Sequence, residues 1–396
     1  MGGEVVDHQW ANIHQDMLNE IAKRIHSYDD YLQLRLVCKQ WNFKLQKIPN
    51  NKVPWLLLPV EEEEDIFHIK ETLDTPTLEE KGIHYLTLPD MQHKLIRGSC
   101  YGWLIIVSIH EGTIIMLNPW TNVCFYLPPI SSLPNVTYYG DDECIYYYEQ
   151  CKVMTGTVDA NKFLVWKVII NSAPTNDNDF MAVAIYTGLR LAFYKPCNKT
   201  WLEIPGNNTY PYFEDVIFFE EKIYAVDYEG QLYEFDSKTS AEPVGGIHEA
   251  TPPDIVTLGE ICNIKYLIGC DDGSLLMIVR HLNMKEGQQN RRYYDTVKFD
   301  IYELKKNSKE WSRIISLGNY VLIVGFNASV QMLASEFSNC KGNQIYFTDN
   351  LVEEQTLELD GEDYYHGIGV FDLEAETCQT VLSDVKFSCP PVWIFP

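Results

Sequence analysis

The sequence predicts an α+β chain of two unequal parts, a short helical segment followed by a large all-β domain, and three observations carry that prediction. Apolar residues recur at helical spacing before Pro49; after Pro54 they fall in short runs of Val, Ile, Tyr, Phe and Trp between Gly, Asn and Asp turn signals. The charge divides at the same place: residues 1–50 hold six acids and six bases, leaving 50 acids and 25 bases in residues 51–396. A strand–turn–strand unit also recurs through the second part. Two prolines five residues apart interrupt either kind of element. The boundaries that follow are 1–8 for a flexible N-terminus, 9–48 for the helical domain, 49–54 for a linker and 55–396 for the β domain.

In the helical segment, Asp16 is placed to cap a helix whose Met17, Leu18, Ile21, Ala22 and Ile25 fall within an arc of about 140°. Ser27 to Asp30 supply a break and the next cap. After them Tyr31, Leu32, Leu34, Leu36, Val37, Cys38, Trp41 and Leu45 point in almost every direction around a helix. A helix apolar all round must be covered on two sides, and a unit of about 40 residues cannot build the core that does so. The segment therefore asks for a partner chain.

The run Trp10-Ala-Asn-Ile13-His14-Gln-Asp16-Met17-Leu18-Asn-Glu-Ile21, followed by Leu32-Gln-Leu34-Arg35-Leu36-Val37-Cys38-Lys39-Gln40-Trp41, resembles an F-box. F-boxes usually carry Leu-Pro where this chain has Ile13-His14, and losing a proline favoured at the helix start is expected to loosen it. The resemblance implies binding of a Skp adaptor, and through it a cullin, by Ile13, Met17, Leu18, Ile21, Leu32, Leu34, Val37 and Trp41.

From Val53 onward the strands come in units. One can be laid out as Leu95–Cys100, Gly102–Ser108, Thr113–Asn118 and Val123–Pro128, four strands with hairpin-sized gaps, which are the dimensions of a propeller blade. Its third turn recurs five times, at Met116–Val123, Phe193–Trp201, Tyr233–Thr239, Tyr302–Trp311 and Val370–Cys378. The runs Val392–Phe395, Trp55–Leu58, Phe67–Lys70 and Tyr85–Leu88 supply one more sheet, in which the first and last strands close the ring and remove exposed edges. A β-propeller is expected, six blades favoured over seven. The stretches Cys100-Tyr-Gly-Trp-Leu104, Leu117-Asn-Pro-Trp-Thr121, Phe125-Tyr-Leu-Pro128 and Gln344-Ile-Tyr-Phe-Thr-Asp349 look like the propeller-type domain that follows the F-box in a large plant family, long described as a domain of unknown function.

Composition narrows the functions. At 46% hydrophobic and 22% charged residues the chain buries enough surface to fold, which excludes a disordered or collagen-like protein. A formal charge of −25 repels phosphate backbones, so no nucleic acid is expected. Apolar stretches such as Trp103–Ser108 fall far short of the roughly 20 residues a membrane span needs. Residues 1–30 show no cationic start followed by an apolar block, so neither a membrane nor a secretory route is expected. The expected location is intracellular, in the nucleus and/or cytoplasm. Eleven cysteines with no CxxC pair read as reduced thiols, and the Asn-x-Ser/Thr sites at Asn135, Asn198, Asn207 and Asn327 then carry no glycan.

No arrangement of catalytic groups emerges. Ten histidines form no pair at metal-ligand spacing, and Asp141–Glu143 and Asp360–Asp363 lack the alternating ligands of a calcium loop, so no metal is expected. Asn176–Asp179 and the five acids Glu61–Asp65 read as solvated loops, and Asp271-Asp272-Gly273-Ser274 as a hairpin turn. Arg291-Arg292 and Lys305-Lys306 read as pairs flanking strands. Nucleotide motifs and Asp-box repeats are missing, and no cofactor is expected.

The family resemblance implies a non-catalytic substrate receptor of a Skp–cullin–F-box ubiquitin ligase, whose propeller captures the target protein. Tyr138, Tyr139, Tyr146, Tyr147 and Tyr148, around the Asp141 loop, are the candidate target contacts, because aromatics dominate interface hot spots. The alternatives are an interaction scaffold outside any ligase, which would recruit no cullin, and a propeller hydrolase, which would show a pocket lined by several carboxylates.

Overall fold

A computed structural model describes residues 13–22, 33–45, 54–59, 66–70, 83–88, 91, 94–108, 110–140, 143–148, 151–155, 164–174, 180–204, 211–237, 244–250, 253, 255, 261–286, 292–337, 340–348, 368–382 and 391–395. The expected segment 1–8, and residues 49–53 of the linker, lie outside them.

Two helices, α1 (Gln15–Ala22) and α2 (Lys39–Lys44), precede the strands, with residues 33–36 also helical. The strands form seven sheets among the described residues. The closing sheet runs β28 (Val392–Ile394), β1 (Trp55–Pro59), β2 (Ile66–Lys70), β3 (Ile83–Thr87). The sheet β4 (Lys94–Cys100), β5 (Trp103–Ser108), β6 (Ile114–Asn118), β7 (Val123–Leu127) matches the expected unit to within a residue at each boundary. A three-stranded sheet of β8 (Val136–Gly140), β9 (Glu143–Tyr148) and β10 (Cys151–Thr155) follows, in the order β10-β9-β8.

Three more four-stranded sheets succeed it in simple chain order. They are β11 (Val165–Ile170), β12 (Ala182–Tyr186), β13 (Arg190–Tyr194), β14 (Leu202–Glu203); then β15 (Phe213–Phe219), β16 (Lys222–Asp227), β17 (Leu232–Asp236), β18 (Val244–Ile247); then β19 (Ile261–Gly269), β20 (Leu275–Glu286), β21 (Arg292–Leu304), β22 (Ser312–Ile314). The last sheet has five strands, β23 (Tyr320–Val324), β24 (Val330–Leu333), β25 (Gln344–Thr348), β26 (Ile368–Asp372) and β27 (Thr377–Leu382). Its order is β24-β23-β25-β26-β27, and β23 and β25 are parallel.

This corrects the expected six blades of four strands each. Five sheets have the regular four strands, one has five and one has three. The reason is local: the connection from β7 to β11 carries a small sheet of its own, and β24 adds a strand on the far side of β23. All five recurrent turns fall between the third and fourth strands of a sheet or its last two, at β6–β7, β13–β14, β17–β18, β21–β22 and β26–β27.

Shared cores join the sheets face to face. Trp55, Leu57 and Ile394 of the closing sheet pack with Leu104 and Ile106, and Ile105 and Met116 pack with Val168 and Ala184. Val183 and Phe193 meet Val216 and Phe235, and Val226 and Leu232 meet Leu267 and Met277. Ile268 and Ile278 meet Val324 and Phe347, and Val321 and Ile323 meet Leu56, Leu58 and Trp393. These six cores close a cycle of six sheets, and Val136, which opens β8, joins the core that Ile105 and Val168 share. Covering on both faces explains why β5 and β12 are buried at every residue. Each large apolar side chain so buried contributes about 1.5 to 3 kcal/mol.

Ring closure rests on β28, which pairs antiparallel with β1, Leu56 opposite Trp393. The Trp393 indole donates to Val324 O (3.2 Å), its carbonyl accepts from Asn327 Nδ2 (2.7 Å), and Phe395 O accepts from Gly102 N (2.5 Å). One strand is thus tied to the sheets on both sides of it.

Polar clamps hold other seams at the first strands of neighbouring sheets. Lys167 on β11 donates to Asp215 Oδ1 on β15, whose Oδ2 accepts from Leu267 N on β19 (2.8 Å). Glu214 Oε2 accepts from both the backbone N (3.0 Å) and Nζ (3.1 Å) of Lys265. Bulges on β11 and β15 next to these residues break the alternation and re-aim the side chains. At the neighbouring seam β4 approaches β11 so closely that a Cβ on Gly98 would lie 2.0 Å from Val168 O, so only glycine fits.

Candidate functional site

Among the described residues of the helical segment three side chains are buried, Leu18, Trp41 and Leu45, with Ile13, Ala22, Leu34 and Cys38 packed against them. α1 begins at Gln15, so Asp16 lies inside the first turn instead of capping it, where its charge still favours the helix N-terminus. The cap comes from His14: its carbonyl accepts from Leu18 N (3.0 Å) and its Nδ1 from Asp16 N (3.4 Å). Cys38 caps α2, its Sγ accepting from Trp41 N (3.4 Å). Two polar ties close the unit, Gln15 Nε2 to Lys44 O (2.8 Å) and Lys44 Nζ to Ile13 O (2.7 Å).

The eight expected adaptor contacts divide. Leu18 and Trp41 are spent on this small core, and Ile13 and Leu34 are half-buried against it. Met17, Ile21 and Val37 remain exposed, at 60%, 36% and 58%. Leu32 lies outside the described residues. Leu36, not among the eight, is the most exposed of this group at 72%. The all-round apolar pattern of residues 31–45 pointed to it, but spacing alone could not tell which residues the unit keeps for itself.

The five expected target tyrosines lie on one small sheet. Tyr138 and Tyr139 of β8 pair with Ile145 and Cys144, and Tyr146, Tyr147 and Tyr148 of β9 pair with Val153, Lys152 and Cys151 of β10. Their side chains are outside what is described. Asp141, Asp142, Glu61–Asp65, Asn176–Asp179, Asp360–Asp363 and Arg291 also lie outside it.

Two exposed tyrosines that the sequence reading passed over meet at the β15–β16 hairpin. Tyr212, before β15, and Tyr228, after β16, stand edge to face with ring centroids 5.8 Å apart and planes at 70°. Tyr228 N donates to Tyr212 O (3.0 Å), and the Tyr228 hydroxyl to Glu229 Oε1 (2.9 Å). Asp227 shapes the turn, its Oδ1 accepting from Glu229 N and Gln231 N, and burial holds its carboxyl above the usual range. The two rings are 16 positions apart in sequence, and strand pairing brings them together.

The charged clusters elsewhere are satisfied locally. Asp300 accepts from His281 Nε2 (2.7 Å), from Lys298 Nζ (2.9 Å) and from Arg313. Burial works against its charge, but these donors hold its carboxyl well below the ordinary range. Glu214 goes the other way: burial pushes it up to about 7 despite Lys265. The expected Asp271–Ser274 hairpin is present, with Gly273 at φ +83° and Ser274 N and Oγ donating to Asp272 Oδ1. Lys305 and Lys306 follow β21, and Lys306 pairs with Glu220 (2.9 Å). Among the described residues no group of three or more His, Cys, Asp or Glu side chains could hold a metal ion.

Comparison with known proteins covers most of the chain. The family model described as the KIB1-4 beta-propeller matches residues 74–372. The F-box protein SKIP23 of Arabidopsis thaliana is 22% identical over 420 residues, spanning 97% of this chain and 95% of its own. The F-box protein At2g26160 of the same plant is 25% identical over 366 residues, spanning 87% of this chain and 96% of its own.

Proposed function

This chain belongs to the KIB1-4 beta-propeller family, and on that premise we propose that it is the substrate-recognition subunit of a Skp–cullin–F-box ubiquitin ligase. Residues 9–48 bind the Skp adaptor, and through it a cullin, while residues 55–396 capture the target protein. The observation that carries the reading is the apolar surface of the helical segment: among the described residues, Met17, Ile21, Leu36 and Val37 stay exposed around a core of three buried side chains. Relatives named F-box proteins that span nearly the whole chain support it.

The eight residues take two roles. Met17, Ile21, Val37 and Leu32 bury apolar surface against the adaptor, with Leu36 beside them, and Leu18, Trp41, Ile13 and Leu34 hold the helices that present them. The chain performs no bond chemistry. It acts by position, because holding a target lysine near a loaded conjugating enzyme makes the attack effectively intramolecular. The tyrosines of β8 and β9 contribute to target capture, and the assembly works inside the cell, in the nucleus and/or cytoplasm.

Co-expression with a plant Skp adaptor and a cullin tests this. The wild type is expected to bring down both partners, and the double variant Met17→Asp, Val37→Asp neither. Capture of the adaptor without a cullin would replace the ligase by a scaffold, and no capture at all would end the proposal.

A further inference from the structure

We propose that β7 is a docking edge, to which an extended, basic segment of the target protein adds as a fifth strand of the β4–β7 sheet. The inference rests on the reading that this chain captures a target.

Each sheet of the cycle ends on an outer strand, and such an edge is a template for any extended chain unless something blunts it. Most of these edges are blunted. β14 has two residues and β22 three, with Arg313 of β22 held by Asp300. β18 is Val-Gly-Gly-Ile, β3 carries His84, and β27 lies alongside β21. β7 differs from all of them. Its five residues, Val-Cys-Phe-Tyr-Leu, include no charge, proline or glycine, and its register with β6 runs from Asn118–Val123 to Ile114–Leu127 without a bulge. Among the described residues, the β7 backbone adds to its ladder with β6 one further hydrogen bond, from Val123 N to Thr121 Oγ1 (3.3 Å).

The side chains divide as a half-covered strand requires. Leu127 is buried in the core that holds Trp103, and the Phe125 ring lies 5.4 Å from the Trp103 ring. Cys124 and Tyr126 alternate to the other face and are exposed, Tyr126 at 66%. An added strand would gain its affinity from main-chain hydrogen bonds along β7 and its selectivity from side chains laid beside Cys124 and Tyr126.

Charge selects the occupant. Residues 51–396 hold 50 acids against 25 bases, and β7 itself has no base to repel a cationic segment. The exposed Glu111 stands on the turn between β5 and β6, which the bond from Ile130 N to Gly112 O (2.9 Å) places at the end of β7. A basic strand therefore meets opposite charge along the domain and at the edge's own end.

The test titrates the full chain with the fluorescein-labelled peptide Lys-Lys-Thr-Val-Thr-Val-Thr-Lys at physiological ionic strength, reading anisotropy and, in parallel, amide hydrogen exchange. Binding should protect about two or three amides within Val123–Leu127, because alternate N–H groups of an edge strand point away from its neighbour. Cys124→Lys and Tyr126→Lys each put a like charge on the edge, and each is expected to weaken binding about 2- to 5-fold with the melting temperature unchanged. A peptide of the same charge with proline at alternate positions cannot form the ladder and should not protect β7. Equal binding of the proline peptide, or of the Lys variants, would assign the attraction to diffuse charge and overturn the site. Equal binding of an analogue with Glu for Lys would overturn the basic occupant. Full protection of β7 in the free chain would show the edge already taken, by another segment or a second copy, and would also end the proposal. Recovery of a co-expressed Skp adaptor, scored in the same preparations, tests the receptor reading separately, while the peptide decides the edge.

Discussion

The two parts of this chain solve burial in opposite ways. Six of the propeller's sheets are each stacked between two others, so that whole strands such as β5 and β12 have no exposed residue. The helical segment closes over Leu18, Trp41 and Leu45 and leaves Met17, Ile21, Leu36 and Val37 in water. A surface of that kind is a cost in isolation and an interface in company. The difference teaches where to look for partners: the apolar partner belongs to the helices, and the propeller, acidic and well packed, is left with polar and aromatic recognition.

Substitutions can break this contrast, beginning with the largest expected loss of stability. Trp393→Ala removes a buried indole and the latch to Val324 together, and is expected to cost about 5 kcal/mol in urea unfolding monitored by circular dichroism. Lys167→Met leaves Asp215 charged and buried across a seam, for an expected loss of about 3 to 4 kcal/mol; adding Asp215→Leu should restore most of it. Leu18→Ala should cost the helical unit about 2 to 3 kcal/mol and abolish adaptor capture while the propeller's melting temperature holds. A shift of the main thermal transition would mean the two parts share a core.

Glu214 offers a finer probe through pH. Burial sets its folded pKa at about 7 against an ordinary 4.5, so the folded state holds that proton more tightly than the unfolded chain. Its contribution therefore declines as pH rises from 4.5 to 7 and is level above that. Glu214→Gln should flatten this part of the stability profile, and an unchanged slope would assign it to other groups. The smallest effect is expected at Met17 and Val37, where Asp should alter the stability of the free chain by no more than about 0.5 kcal/mol and still eliminate adaptor capture.

Much of the architecture could be read in advance, for physical reasons. β4 to β7 are bounded by turns with strong local chemistry, Tyr101-Gly102 and Asn118-Pro119-Trp120-Thr121-Asn122, and both ends of the closing sheet carry dense apolar runs. The parallel β23–β25 pair has no such mark, because no short turn joins those strands. Nor could spacing reveal that the connection from β7 to β11 carries a sheet of its own, since a strand's own pattern does not say which strands it pairs with. Met17 and Leu18 lay in one apolar arc of the sequence reading, yet one is exposed and the other fully buried. Helical spacing defines a face and leaves open how the segment divides it between itself and a partner.

The pairing of Leu56 with Trp393 joins residues 337 positions apart. At about 5 to 20 residues per second, a ribosome needs on the order of 20 to 70 s to make the stretch between them. Through that interval the edge of β1 that later receives β28 is an open template for any other strand. Chaperone occupancy during translation should accordingly begin as β1 emerges and end only when Trp393 clears the exit tunnel.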